Sequence, residues 1–153
     1  MDKPLLIALD TASLYFRAFF GVPQTLRSGA GEPVNAAYGL LDMIATLVGG
    51  YQPAALACAW DNDWRPPWRT QLVPSYKLHR VAPVVTNHTI GAGGVGAESG
   101  LQEVSDPALA AQVPWIRELL AALRLPVLGV DGYEADDVLA SLTRRGVQAG
   151  FEV

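Results

Sequence analysis

Two apolar runs that each end in an aspartate constrain the fold more than any other feature of the sequence. Residues 4–9 are apolar and Asp10 follows them, while residues 54–60 are apolar and Asp61 follows them. A short, continuous apolar run is typical of a strand that is buried on both faces, as in a parallel sheet. Segments with helical spacing lie between these runs, so the sequence predicts strands that alternate with helices.

The rest of the chain extends this alternation. Helices are predicted over residues 11–20, from a cap at Asn35 to 50, around 69–77, from 107 to about 123 with a bend at Pro114, and over 133–145. Further strands are predicted over residues 125–130 and from 151 onward. This order predicts an α/β fold with a three-layer parallel sheet and helices on both faces. The glycine-rich segment 81–106 lacks periodicity and is predicted to be a flexible loop.

Five acidic residues are predicted to meet at one edge of the sheet. Two end strands and three lie near the start of the helix after the third strand: Asp10, Asp61, Glu134, Asp136 and Asp137. In open parallel sheets the functional crevice lies beyond the carboxyl ends of the strands. Carboxylates held close together repel one another, and a cation that prefers oxygen ligands, such as Mg²⁺, removes that repulsion. We therefore predict a metal site, where a pair of ions can act on both oxygens of a phosphodiester displacement.

Each acid also has an ordinary structural explanation. Asp10 could cap the helix that follows it, and Asp61 could belong to a turn. The acids near residue 134 could complement a helix dipole. That last explanation covers one helix only and leaves the acids at the ends of two other strands unexplained.

A basic and aromatic segment predicts contact with nucleic acid, although the net charge of the chain is −4. No acid occurs between residues 64 and 97, and the segment contains the cations Arg65, Arg69, Lys77 and Arg80. Arginine and lysine both bind phosphate. We favour phosphate contacts for Lys77 and Arg80, because no acid lies near them in sequence and on a helix they would share a face. Tyr76 or Trp68 could stack on an unpaired base, and packing on the core is the alternative for Trp68.

Four motifs in register resemble the 5' nuclease family, which includes the front domain of DNA polymerase I. They are the opening strand and helix (residues 5–20), the next helix (34–40), the second acidic strand with its arm (59–61, 68–69 and 76–80), and the segment 132–138. The last of these, Gly-Tyr-Glu-Ala-Asp-Asp-Val, is the most specific.

The resemblance implies a Rossmann-like (PIN-like) domain that is partial in residues 1–153, with a helical arch within 62–106 that threads single-stranded 5' ends. It implies that Mg²⁺ or Mn²⁺ is bound, directly or through water, by Asp10, Asp61, Glu134, Asp136 and Asp137. It also implies that Lys77 and Arg80 face the scissile phosphate and that Arg17 supports the site. From their place in the basic and aromatic segment, Arg65, Arg69 and Tyr76 are predicted to be further DNA contacts. The implied reaction is 5'→3' exonuclease or 5'-flap endonuclease cleavage of DNA in replication and repair.

Members of that family continue with a Gly-Asp-x-Asp strand, a further aspartate pair and a helix-hairpin-helix, which lie beyond residue 153. We therefore expect the two-ion site to be incomplete in this chain and the chain alone to be a poor nuclease. Two alternatives stay open, a catalytically inactive DNA-binding remnant and a PIN-like RNA endonuclease. The single cysteine and the lack of a long apolar stretch or leader segment predict a cytoplasmic protein without membrane contact.

Overall fold

The computed structural model describes residues 3–83, 101–103 and 106–153. The elements follow the chain in the order β1 (Leu6–Asp10), α1 (Thr11–Gly21), α2 (Asn35–Tyr51), β2 (Ala55–Ala59), α3 (Pro67–Leu72), a 3-10 turn (Leu78–Arg80), β3 (Val81–Pro83), β4 (Leu101–Glu103), α4 (Pro107–Ala110), α5 (Val113–Ala122), β5 (Val127–Leu128) and α6 (Ala135–Gln148). None of the helices in these ranges is long and apolar enough to cross a membrane.

The central sheet is parallel and has the strand order β1-β2-β5. β1 pairs with β2 along its whole length, and Asp10 lies opposite Ala59 at the carboxyl end of the pair. β5 pairs only with the end of β2, where Cys58 lies opposite Val127. On the other side of β1, the Leu6 N–H donates to the Glu152 carbonyl over 2.8 Å. The predicted parallel α/β sheet is confirmed, and the last residues of the chain join it as expected.

Side chains that alternate along the strands face two different helical layers. One face belongs to the larger core cluster, whose buried side chains include Leu9, Cys58, Phe19, Leu40 and Ile116. On the other face, Ala59 packs against Ala135 and Val138 of α6. Helices therefore cover both faces of the sheet, which confirms the three-layer arrangement.

A buried glutamine between α4 and α5 fastens the start of α2 to the rest of the core. Gln112 is 1% exposed, and its side-chain oxygen accepts from the Ala36 N–H at 2.9 Å. Its amide donates to Asn35 Oδ1, while the Asn35 amide donates to the Phe19 carbonyl. Asn35 was expected to cap α2, and this expectation is wrong. It is the first residue of the helix, and its amide serves carbonyls at the end of α1 that have no partner within their own helix.

Two predicted helices are interrupted. The predicted helix from residue 107 is divided into α4 and α5, and Pro114 lies in the first turn of α5, where a missing N–H is tolerated. The predicted helix around 69–77 ends at Leu72, and a separate 3-10 turn begins at Leu78. The expectation that Lys77 and Arg80 share a face of one α-helix is therefore wrong.

Short strands replace part of the predicted loop, and the third strand is shorter than predicted. β3 and β4 pair antiparallel within the segment 81–106, whereas residues 84–100 and 104–105 of that segment lie outside the described residues. β5 covers two residues instead of the six predicted, and it pairs only with the end of β2.

Candidate active site

A cavity of about 730 Å³ lies at the carboxyl ends of β1 and β2. Its lining includes four of the five predicted acids, namely Asp10, Asp61, Glu134 and Asp136. It also includes the three side chains predicted to act on the phosphate, namely Arg17, Lys77 and Arg80. Side chains that are far apart in sequence therefore meet because parallel strands deliver their carboxyl ends to one edge of the sheet.

Asp10 is both the cap of α1 and part of the cavity wall. Its carboxylate accepts from the Ser13 N–H at 3.0 Å and from the Ser13 hydroxyl at 2.5 Å. The capping explanation for Asp10 is therefore correct, and it is compatible with a place in the site. The cap fixes the side chain at the point where β1 ends.

Asp61 joins the end of β2 to the beginning of α6. Its carboxylate accepts from the Ala135 N–H at 2.7 Å. Burial raises the pKa of Asp61 above its usual 3.8; the Ala135 hydrogen bond and nearby Lys77 lower it, and the charges of Asp10 and Glu134 raise it further. Ionisation of Asp61 is therefore unfavourable at this position unless a cation is close.

Glu134 is the most deeply buried of the acids, with 1% of its surface exposed. Its carboxylate accepts from the Tyr76 hydroxyl at 2.5 Å and from the ammonium of Lys77. The Nε atom of Arg69 lies 3.1 Å from Glu134 Oε2 as an ion pair without hydrogen-bond alignment. Two cations and a hydroxyl thus compensate for burying this charge.

Asp136 and Asp137 are neighbours in sequence and differ in environment. Asp136 is exposed, lines the cavity, and makes no hydrogen bond or ion pair with other described residues. Asp137 does not line the cavity; its carboxylate accepts from the Glu134 N–H at 3.1 Å and from Arg69 Nη2 at 2.6 Å. Asp136 is therefore available to a ligand, whereas Asp137 holds the first turn of α6 and Arg69.

The donors in this cavity fit a divalent cation in their chemistry. They are carboxylate oxygens, which Mg²⁺ and Mn²⁺ prefer as ligands. Across residues 3–83, 101–103 and 106–153, however, no group of three or more acidic, histidine or cysteine side chains is arranged to hold a metal ion. Lys77 and Arg69 occupy the Glu134 carboxylate instead.

Lys77 reaches the cavity from an unusual backbone conformation. Its φ of 50° lies in the left-handed region, which side chains other than glycine and asparagine disfavour. Its ammonium donates to the Trp64 carbonyl at 2.8 Å as well as to Glu134. The expectation that Lys77 lacks an acidic partner is wrong, because Glu134 lies far away in sequence and close in space. Arg80 and Arg17 are exposed and have no partner among the described residues.

The other side chains of the basic segment are engaged inside the protein. Arg65 donates from Nε to the Tyr76 carbonyl at 2.7 Å and from Nη2 to the Pro74 carbonyl at 3.3 Å. These bonds shape the backbone just before Lys77. The guanidinium carbon of Arg69 lies 4.8 Å from the ring centre of Trp68 and 5.5 Å from that of Tyr76. The guanidinium groups of Arg65 and Arg69 are thus bound to other groups of the protein.

A set of polar contacts that sequence reasoning missed holds the Asp61 loop against the turn before α6. Asp63 accepts from the Gly132 N–H, and Asn62 donates to Asp131 over 2.7 Å. The Trp68 indole N–H donates to the Gly132 carbonyl at 2.9 Å. Part of the Trp68 side chain is therefore bound within the protein and not free in solvent. Consecutive polar residues after a strand and the Asp131-Gly132 pair were the available signals, but neither indicates that the two segments contact each other.

Aromatic side chains form part of the same cavity wall. Tyr15 and Trp60 have ring centres 6.1 Å apart, and both line the cavity with Phe16. The guanidinium carbon of Arg117 lies 5.5 Å from the Trp60 ring centre. The cavity therefore presents apolar ring surfaces as well as charges.

Comparison with known proteins agrees with this architecture. Residues 5–153 match the model of the 5'-3' exonuclease, N-terminal resolvase-like domain. A 5'-3' exonuclease of Streptomyces coelicolor is 50% identical over 137 residues, which are 90% of this chain and 42% of that protein. A 5'-3' exonuclease of Mycobacterium tuberculosis is 43% identical over 95% of this chain and 42% of its own length.

DNA polymerase I of Bacillus caldotenax is also similar, at 30% identity over 99% of this chain and 14% of the polymerase. The chain thus spans well under half the length of these relatives. The family model covers nearly every residue, including both aspartate-ended strands and the start of α6. By that match the chain belongs to the 5'-3' exonuclease family, as its N-terminal resolvase-like domain.

Proposed function

We propose that this domain takes part in 5'→3' hydrolysis of DNA phosphodiesters and that the cavity at the ends of β1 and β2 is the reaction site. The observation that carries the proposal is the meeting of four acids and three cations in that one cavity. The names of the relatives, 5'-3' exonuclease and DNA polymerase I, support a DNA substrate. DNA with a free 5' end or a 5' flap, met in the cytoplasm during replication and repair, is the substrate we propose.

A divalent cation, Mg²⁺ or Mn²⁺, would be held by Asp10, Asp61 and Asp136, with Glu134 in contact directly or through water. Once bound, such an ion lowers the pKa of a water molecule and stabilises a departing oxyanion. Asp137 would contribute indirectly, because its carboxylate is bonded to Arg69 and to the Glu134 N–H and so holds both near the site.

The cations of the cavity would bind and orient the phosphate. Arg80 and Arg17 are exposed at the cavity and can offer a guanidinium to phosphate oxygens. Lys77 supplies a compact charge opposite the aspartates, and its contact with Glu134 keeps it inside the cavity until a phosphate competes for it. Arg65 would act on DNA through the backbone of residues 74–76 that it fixes, and Tyr76 would offer the partly accessible side of its ring to a base.

The test is cleavage of end-labelled DNA. Substrates with a 5' flap, a 5' single-stranded end and a blunt end, together with an RNA copy of the flap, are incubated with Mg²⁺ or with EDTA. The chain is assayed alone and joined to the remaining part of the Streptomyces coelicolor relative, so that dependence on the unmatched region is measured separately. We expect Mg²⁺-dependent release of short products from the 5' end of DNA.

Matched variants separate the candidate functions. Asp136→Asn removes a free carboxylate of the cavity. Asp42→Asn removes an exposed carboxylate of α2 that does not line the cavity. We expect Asp136→Asn to lose at least about 100-fold in cleavage and to retain DNA binding, while Asp42→Asn changes neither. DNA binding without cleavage in every form, the joined protein included, would instead identify a non-catalytic DNA-binding domain. Preferential cleavage of RNA would overturn the proposed substrate.

A further inference from the structure

We infer that Arg69 is a positioning residue for the acidic first turn of α6 and that it acts on the site through Glu134 and Asp137, not through contact with DNA. This inference rests on the proposed function and deepens it. It separates Arg69 from the cations that line the cavity, with which it was grouped on sequence grounds alone.

The placement of the guanidinium carries the inference. Arg69 does not line the cavity, whereas Arg17, Lys77 and Arg80 do. Its Nη2 atom donates to Asp137 Oδ1 at 2.6 Å, and its Nε atom lies 3.1 Å from Glu134 Oε2. To reach a phosphate in the cavity, Arg69 would have to break both ion pairs and leave a buried carboxylate behind.

The aromatic neighbours of Arg69 restrict its movement. Trp68 and Tyr76 lie within cation–π distance of its guanidinium, and its side chain is only 22% exposed. The Trp68 indole is itself bonded to the Gly132 carbonyl, just before α6. Ion pairs and aromatic packing thus hold the guanidinium beside the first turn of α6.

Arginine suits this position because one planar group serves two carboxylates in different directions. Lysine would offer a point charge that can satisfy one of them well. The division of labour with Lys77 follows from the geometry. Lys77 shares Glu134 and also faces the cavity, so it can turn to a phosphate. Arg69 then remains as the cation paired with Glu134 and Asp137, the two acids that flank Asp136 in the sequence.

The experiment compares Arg69→Gln and Arg69→Lys with Arg80→Gln, which alters an exposed cation of the cavity. Mn²⁺ affinity is measured by the loss of the free-ion electron paramagnetic resonance signal, and DNA affinity by fluorescence anisotropy with a labelled 5'-flap oligonucleotide in EDTA. Circular dichroism checks that each variant is folded. For Arg69→Gln we expect Mn²⁺ affinity to fall by about 10-fold or more, the loss typical of residues that orient metal ligands, and DNA affinity to change by less than about twofold.

Arg80→Gln should show the opposite pattern, with weaker DNA binding and unchanged Mn²⁺ affinity. Arg69→Lys should restore Mn²⁺ affinity in part, since it keeps the charge and loses the second contact. In a double-mutant cycle with Asp137→Asn, the two losses of Mn²⁺ affinity should be less than additive, because both changes break one contact. A merely structural role would not give coupling in this readout.

The outcomes distinguish the inference from the proposed function. Loss of DNA affinity in Arg69→Gln with unchanged Mn²⁺ affinity would overturn the inference and return Arg69 to the DNA contacts. Additive losses with Asp137→Asn would also overturn it. A wild-type chain that does not bind Mn²⁺ would overturn the proposed metal site, and the positioning role would fall with it.

Discussion

The carboxylate of Asp61 accepts a 2.7 Å hydrogen bond from the backbone N–H of Ala135, so the end of β2 is tied to the first residue of α6. Through this bond, one aspartate holds the start of α6, where Glu134 and Asp136 lie. The same aspartate is partly buried near Asp10 and Glu134, and its pKa is raised.

Asp61→Asn is expected to stabilise the metal-free chain at neutral pH. Burial raises the pKa of the folded-state Asp61 carboxyl, so its ionisation in the folded state is unfavourable relative to the unfolded state. The stability that Asp61 contributes is therefore fully present below its ordinary pKa of 3.8 and is lost as the pH rises through the raised value. Asparagine avoids this loss, and its carbonyl oxygen can still accept from Ala135.

Thermal unfolding in EDTA across a pH series measures this effect. The Tm of Asp61→Asn should exceed that of the wild type at pH 7, and the two should converge below pH 3.8. Asp42→Asn, on the exposed surface of α2, serves as the matched control and should follow the wild type. A lower Tm for Asp61→Asn at pH 7 would contradict the prediction.

Arg80→Gln is expected to weaken DNA binding and to reduce its salt dependence. An exposed guanidinium that contacts one phosphate releases about one counterion, so the slope of log K against log salt should fall in magnitude by about 1. Anisotropy titrations at several salt concentrations give the slope. Arg144→Gln removes an exposed charge of α6 that does not line the cavity, and its slope should match the wild type. Equal effects of the two variants would show that only total charge matters.

Gln112→Leu is expected to lower the free energy of unfolding by about 2–3 kcal/mol, because it leaves buried donors and acceptors at the start of α2 without partners. Leucine fills much of the same space, so lost hydrogen bonds rather than a cavity should dominate. Urea unfolding measures the change. Gln24→Leu, at an exposed turn, should stay within about 0.5 kcal/mol of the wild type. A neutral Gln112→Leu would mean that the polar network adds nothing to stability.

Gly132→Ala is expected to destabilise the chain by about 1–2 kcal/mol, since Gly132 has a φ of +79°, which an alanine adopts only at that cost. Nothing lies within 4 Å of an added Cβ there, so backbone strain is the only direct cause. Gly29→Ala is the matched control, with equal space and an ordinary φ. Urea unfolding of both variants decides the matter, and equal stabilities would remove the strain explanation.

The sequence predicted those parts of the fold that depend on local pattern. Apolar runs identified β1 and β2, and the aspartates after them were correctly expected to face one edge. β5 was overestimated because an apolar run does not reveal how many of its residues pair with a neighbouring strand. Asn35 was expected to act locally, as a cap. Its partners are set by the packing of α1, α2 and α5, which no local pattern records.

The site was predicted less completely than the fold, for a related reason. Arg69 was predicted to contact DNA, and Lys77 was expected to be free for phosphate because no acid lies near it in the sequence. Their acidic partners lie 68 and 57 residues further along the chain. Proximity in sequence is a poor guide to charge pairing when parallel strands bring distant turns to one edge. The separate roles of Asp136 and Asp137 could not be read from adjacent identical residues either.

The left-handed backbone at Lys77 has a consequence for how this position can change over time. The backbone conformation alone would favour glycine or asparagine there, since either adopts it more easily. An ammonium group between Glu134 and the open cavity requires lysine instead. At position 77 the backbone conformation and the side-chain contacts therefore favour different residues. A relative without a buried acid in the place of Glu134, and without the phosphate contact proposed for Lys77, should more often have glycine or asparagine at this position.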